Sequence, residues 1–139
     1  MNPKKYDGYR AYQYLDPEDL PKVEFVEQIN RVPSRQVETT DEQEARVRRI
    51  FEENLIISLH DHCFVSPKDL SNFLDFRRSG REFTAYEGLA VSGLDCVFDA
   101  MMDGTAMITS RAGWKWDDVV FDIGMRLSDI AHQDMVQLA

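Results

Sequence analysis

The plainest pattern along the chain is the unbroken apolar run Leu55-Ile56-Ile57, continued by Ser58 and Leu59 and closed by His60-Asp61-His62. An apolar stretch without alternation predicts a strand buried on both faces, as in a parallel sheet, over Leu55–His60. Just upstream, Thr40 precedes Asp41, Glu42 and Gln43, and Val47, Ile50, Phe51 and Leu55 then recur at helical spacing. This predicts an N-capped amphipathic helix over residues 41–54 that leads into the strand.

Downstream, Ser66-Pro67-Lys68-Asp69 offers a cap and a proline at the first helical position, with Leu70, Phe73 and Leu74 as a buried stripe until Gly80. Thr84-Ala85-Tyr86-Glu87 has the spacing of a second capping box. After Gly88 and Gly93, Leu94, Val97, Phe98, Met101 and Met102 predict more helix up to Gly104. Ala106-Met107-Ile108-Thr109-Ser110 reads as a second short buried strand. Val119, Val120, Ile123, Leu127, Ile130 and Ala131 mark an amphipathic helix over about residues 117–136. The first forty residues carry Pro3, Pro17, Pro21 and Pro33. They are expected to be an irregular arm, with a short strand near Val23–Val26, that wraps a core rather than forming one.

The order strand, helices, strand, helix indicates an α/β fold, divided into the arm (1–40) and a unit of βα type (41–139). Two strands are too few to close a barrel or to make a typical open sheet. The expectation is therefore the N-terminal portion of a (β/α)8 TIM-like barrel, incomplete in this chain, with a self-contained small α/β domain as the alternative.

Composition narrows the function classes. The formal charge is -9, from 25 acidic and 16 basic residues, which disfavours a nucleic-acid or anionic-membrane surface. No segment approaches a membrane span, and residues 1–20 lack the apolar run of a signal peptide. Cys63 and Cys96 show no paired spacing, so a reducing cytoplasm is expected.

In an extended strand His60 and His62 project to one side, with Cα atoms about 6.5–7 Å apart, while Asp61 projects to the other. Two imidazoles on one side suit zinc or a similar ion, and a strand's C-terminal end is where parallel α/β barrels gather their sites. His60 and His62 are thus the candidate metal ligands; the alternative is a pair of surface histidines in a loop. A catalytic zinc usually has three protein ligands plus water. The other histidine, His132, lies in the last predicted helix with Asp129 three positions earlier, and reads as a packed or half-exposed side chain. Cys63 reads as a small buried apolar residue, and Asp95, Asp99 and Asp103 as a solvated helix face. Trp114 and Trp116 read as loop anchors. No residue is assigned as general acid or base.

Three segments carry a resemblance: Ile57-Ser58-Leu59-His60-Asp61-His62, Gly80-Arg81-Glu82-Phe83-Thr84-Ala85-Tyr86-Glu87-Gly88-Leu89, and Met101-Met102-Asp103-Gly104-Thr105-Ala106-Met107-Ile108-Thr109. Over about residues 40–139 the chain resembles the N-terminal part of the membrane dipeptidase (renal dipeptidase) family, within the amidohydrolase superfamily. The resemblance implies a (β/α)8 barrel and two zinc ions bridged by a carboxylate and a water or hydroxide. It also implies hydrolysis of a small peptide or amide, with His60 and His62 at the first-strand ligand positions. The usual family motif is His-x-Asp; His62 stands at its second position, as in the His-x-His of the wider superfamily. Homo-oligomer formation is left open. The alternative function is a stand-alone, non-catalytic binding module, or a decayed remnant of such an enzyme.

Overall fold

The computed structural model describes residues 6–32, 37–78, 81–100 and 116–139. The elements are α1 (Asp41–Glu53), β1 (Ile57–Asp61), α2 (Phe73–Arg78), α3 (Tyr86–Ser92), β2 (Cys96–Asp99) and α4 (Trp116–Ala131), with 3-10 turns at Pro17–Asp19 and Leu70–Asn72. Helix α1 starts as its sequence predicts. The Thr40 hydroxyl accepts from the Gln43 amide, and the Gln43 side chain accepts from the Thr40 amide, closing a capping box.

Strands β1 and β2 pair in parallel, with Ile57 opposite Cys96, Ser58 opposite Val97 and Asp61 opposite Asp99. Three steps along β1 match two along β2, so one extra residue is accommodated at Leu59-His60. A bulge there breaks the alternation, and Leu59 and His60 are both exposed. The fold is α/β in this general sense. The expected strand at Ala106–Ser110 lies outside the described residues.

The strand leading to the histidines is not buried on both faces. Leu55 is 77% and Leu59 80% exposed. The core lies elsewhere, because aromatic residues from the arm supply it. Tyr9, Ala11 and Tyr12 pack with Phe76, Phe83 and Tyr86, and Phe25, Met125, Met135 and Val136 close around them. Edge-on ring contacts run through the cluster, from Tyr9 to Tyr86 (centroids 5.3 Å apart), Tyr12 to Phe83 (5.1 Å) and Phe25 to Phe76 (5.4 Å). Each such ring removes roughly 150–250 Å² from water, more than a strand's Ile or Leu, so the arm forms the core instead of wrapping one.

The arm is also tied to the chain after β1. Phe25 bridges Pro67 in antiparallel sense, and the Val26 amide donates to the Ser66 carbonyl at 3.1 Å. This isolated bridge is all the strand character at the predicted Val23–Val26 strand. On the other side, Phe64 bridges Thr84, and the Ala85 amide donates to the Cys63 carbonyl at 3.0 Å.

Four further expectations are corrected. The turn after Pro67 is capped by Asp69, whose carboxylate accepts from the Ser71 amide, rather than by Ser66. Its short helix turns Phe76 and Arg77 inward while Leu70 and Leu74 stay exposed, because the 3-10 turn that opens it shifts the helical phase. Thr84 does not cap α3. Ala85 holds the N-cap position without a side-chain bond, and the Thr84 hydroxyl accepts from Arg126 instead. Finally, the helix predicted from Leu94 is replaced by β2. Gly93, at φ +72°, ends α3 in the left-handed conformation, and the β-favouring Cys96-Val97-Phe98 then pairs with β1.

Candidate metal half-site

The end of β1 and the residue after it bring His60 and His62 to one point, with their Nε2 atoms 3.2 Å apart and the rings nearly perpendicular at 78°. The Nδ1 atom of His62 lies 2.9 Å from the Ala100 carbonyl, just past the end of β2. A carbonyl only accepts, so in the neutral ring the proton sits on Nδ1 and the Nε2 lone pair faces His60. His60 is exposed and His62 half-buried.

The backbone beneath the pair is held on both sides. The His62 amide donates to the Asp61 carboxylate at 2.8 Å, and the Ala100 amide to the Asp61 carbonyl at 2.8 Å. The Cys63 amide donates to Asp99 Oδ1 at 3.1 Å, while Asp99 Oδ2 pairs with Arg126 at 2.8 Å. Arg126, on α4, also pairs with Glu82 at 2.5 Å and donates to the Thr84 hydroxyl at 3.3 Å. Glu82 receives Arg77 as well, at 3.3 Å. These charged side chains are largely withdrawn from water and balance one another, which is how buried ions are tolerated.

Two zinc–nitrogen bonds of about 2.0–2.1 Å at a tetrahedral angle place their nitrogens about 3.3–3.4 Å apart. The observed 3.2 Å is the length of a hydrogen bond between the two rings and lies close to that edge, so the spacing of His60 and His62 is compatible with two ligands of one ion. Among the described residues no third His, Cys, Asp or Glu joins them. Comparison with protein-family models, curated proteins and solved structures gave no match. The chemistry of the site therefore rests on its own geometry.

Other sequence candidates fall away from the pair. His132 is exposed, donates from Nδ1 to the Ser128 carbonyl at 2.7 Å, and stacks on Tyr14 with ring centroids 3.6 Å apart. Asp129 is fully buried and serves as an acceptor in the core rather than as a partner of His132. Cys63 is buried as expected. Burial, together with the nearby Asp99 and Asp61 carboxylates, pushes its thiol up to about 12, so at neutral pH it is an inert thiol. Asp95 and Asp99 are not a helix face: Asp95 accepts from the Ile56 amide at 2.9 Å, and Asp99 holds Arg126. Asp103 and Trp114 lie outside the described residues, and Trp116 is exposed rather than an anchor.

The sequence reading missed Asp99, Arg126 and Glu82. The signal for Arg126 was a charged residue between Met125 and Leu127 in an otherwise apolar stripe. Its partner lies 27 positions away across undescribed chain, and no local period connects the two. Among the described residues no helix is long and apolar enough to cross a membrane.

Proposed function

We propose that this chain is the first part of a (β/α)8 barrel hydrolase related to the membrane dipeptidase family, in which His60 and His62 bind zinc. Its substrate is a small peptide or amide, and its compartment the reducing cytoplasm. What supports the reading is the convergence of the two Nε2 atoms at 3.2 Å with the His62 proton held on the far nitrogen. His60 and His62 would hold the zinc, which when bound would supply Lewis-acid chemistry and a water acidified toward neutrality. This chain would contribute the ion's first two ligands: His62 offers its Nε2 lone pair, while His60 donates its Nε2 proton across the 3.2 Å contact and gives that proton up when the ion enters.

The test is zinc binding to the whole chain, read by competition with a chromogenic chelator, beside an assay of dipeptide hydrolysis. Binding that disappears in both His60→Ala and His62→Ala supports the reading. Unchanged zinc stoichiometry in both variants overturns it. A second reading, that of a non-catalytic binding module or remnant, is favoured by the lack of a third ligating side chain among the described residues. Zinc binding by the histidine pair with no dipeptide turnover supports that one.

A further inference from the structure

The histidine pair has an asymmetry that the metal reading alone does not explain. Among the described residues, His60 is exposed and its ring is held by His62 alone, whereas the ring and the next peptide of His62 are both gripped by the end of β2. The Ala100 carbonyl takes the Nδ1 proton, and the preceding residue, Asp99, takes the Cys63 amide on Oδ1. The other oxygen of Asp99 is fixed by Arg126, 6% exposed, which is in turn fixed by Glu82 and Thr84. A run of contacts thus leads from α4 to the imidazole of His62.

We propose that Asp99 and Arg126 are positioning residues that hold His62 in the Nδ1–H tautomer, aiming its Nε2 lone pair at the point shared with His60. The reasoning is geometric. Free histidine favours the proton on Nε2, so a ring with the opposite tautomer needs an acceptor fixed opposite Nδ1. The Ala100 carbonyl is that acceptor, and its placement depends on where β2 ends. The bulge at Leu59-His60 loosens the pairing of β1 with β2 just before the site, and the Asp99 carboxylate restores a fixed separation just after it. Partners behind a metal-binding histidine set its tautomer and orientation in this way, and their loss typically costs about 10–100-fold in metal affinity.

The consequence for zinc rests on the function proposed above; the tautomer does not. The test is long-range nitrogen–proton correlation spectroscopy of the histidine rings in the metal-free whole chain, at a pH where imidazole is neutral, with zinc affinity measured in parallel. The parent is expected to show His62 as the Nδ1–H form. Asp99→Ala is expected to give a mixture dominated by Nε2–H and about 10–100-fold weaker zinc binding. Asp99→Asn keeps an acceptor for Cys63 but loses the charge facing Arg126, so it should fall between the two; it decides the matter if Asp99→Ala does not fold. Arg126→Lys should follow Asp99→Asn. Nε2–H in the parent, or a folded Asp99 variant with parental tautomer and affinity, overturns the proposal. A parent with the Nδ1–H form, lost on substitution of Asp99, but without zinc binding would leave the positioning role standing and remove the metal reading.

Discussion

Asp129 on α4 should be the most sensitive single position for the stability of this fold. Its carboxylate is fully buried and accepts three hydrogen bonds from two other parts of the chain: Tyr9 Oη at 2.8 Å, the Tyr12 amide at 2.7 Å and Tyr86 Oη at 2.8 Å. Tyr12 adopts φ +60°, unusual for a bulky residue, and the hydrogen bond its amide donates to Asp129 helps hold that conformation. Burial and the adjacent Asp129 carboxylate raise the phenols of Tyr9 and Tyr86, so both keep the protons they donate. Asp129→Ala leaves three buried donors unpaired, each costing about 1–3 kcal/mol before any relaxation. Partial rescue by water brings the expected loss to about 4 kcal/mol, a large share of the roughly 5–15 kcal/mol that a domain has in total. Tyr9→Phe and Tyr86→Phe each remove one donor and leave the carboxylate two others, so each should cost about 1–2 kcal/mol. Urea unfolding followed by far-ultraviolet circular dichroism measures all of these. In a double-mutant cycle, Tyr9→Phe should cost little once Asp129 is already alanine. An Asp129→Ala variant within about 1 kcal/mol of the parent, or full additivity in that cycle, would refute the reasoning.

The remaining predictions concern a turn and the alkaline limb of stability. Gly93→Ala should destabilise by about 1–2 kcal/mol, because it puts a Cβ at φ +72° and 2.9 Å from the Phe51 ring. Trimming that ring with Phe51→Ala in the same chain should relieve the contact but not the backbone strain, which chemical denaturation of the two variants will separate. The Cys63 thiol is raised from 9.0 to about 12 in the folded chain, so its contribution is complete below about pH 9. Above that the unfolded thiol sheds its proton first, and stability should fall as pH rises toward 12, with the raised Tyr9, Tyr12 and Tyr86 adding to the fall above 10. Urea midpoints from pH 7 to 11 should show a shallower decline between 9 and 10 in Cys63→Ala; an unchanged slope would count against burial as the cause.

What the sequence made legible follows the range of the interactions involved. Helix α1 was readable because its capping box spans four residues and needs nothing from elsewhere. Helix α4 was readable from its apolar period, although it ends at Ala131 rather than near residue 136. Segment 94–99 was misread because Leu94, Val97 and Phe98 satisfy a helical period, yet Gly93 and the pairing partner on β1 decide for a strand. The aromatic arm was misjudged because prolines break its periodicity, while nothing in a periodic pattern reports that Tyr9 and Tyr12 reach a carboxylate more than a hundred residues away.

The candidate site divides along the same line. That His60 and His62 share a side follows from two-residue spacing alone, and their Nε2 atoms do meet. Which nitrogen of His62 is free depends on Ala100, 38 residues later, and on an ion pair between β2 and α4. Local sequence therefore brings the two imidazoles together, and long-range contacts set which nitrogen of His62 is free. Under the proposed metal role, His62 already presents its Nε2 lone pair, whereas His60 must release the proton it donates to His62 before it can bind through the same atom. The buried Arg126–Asp99–Glu82 network is costly to assemble. Under the positioning role proposed for it, the network's place behind His62 is where such a cost has a functional return.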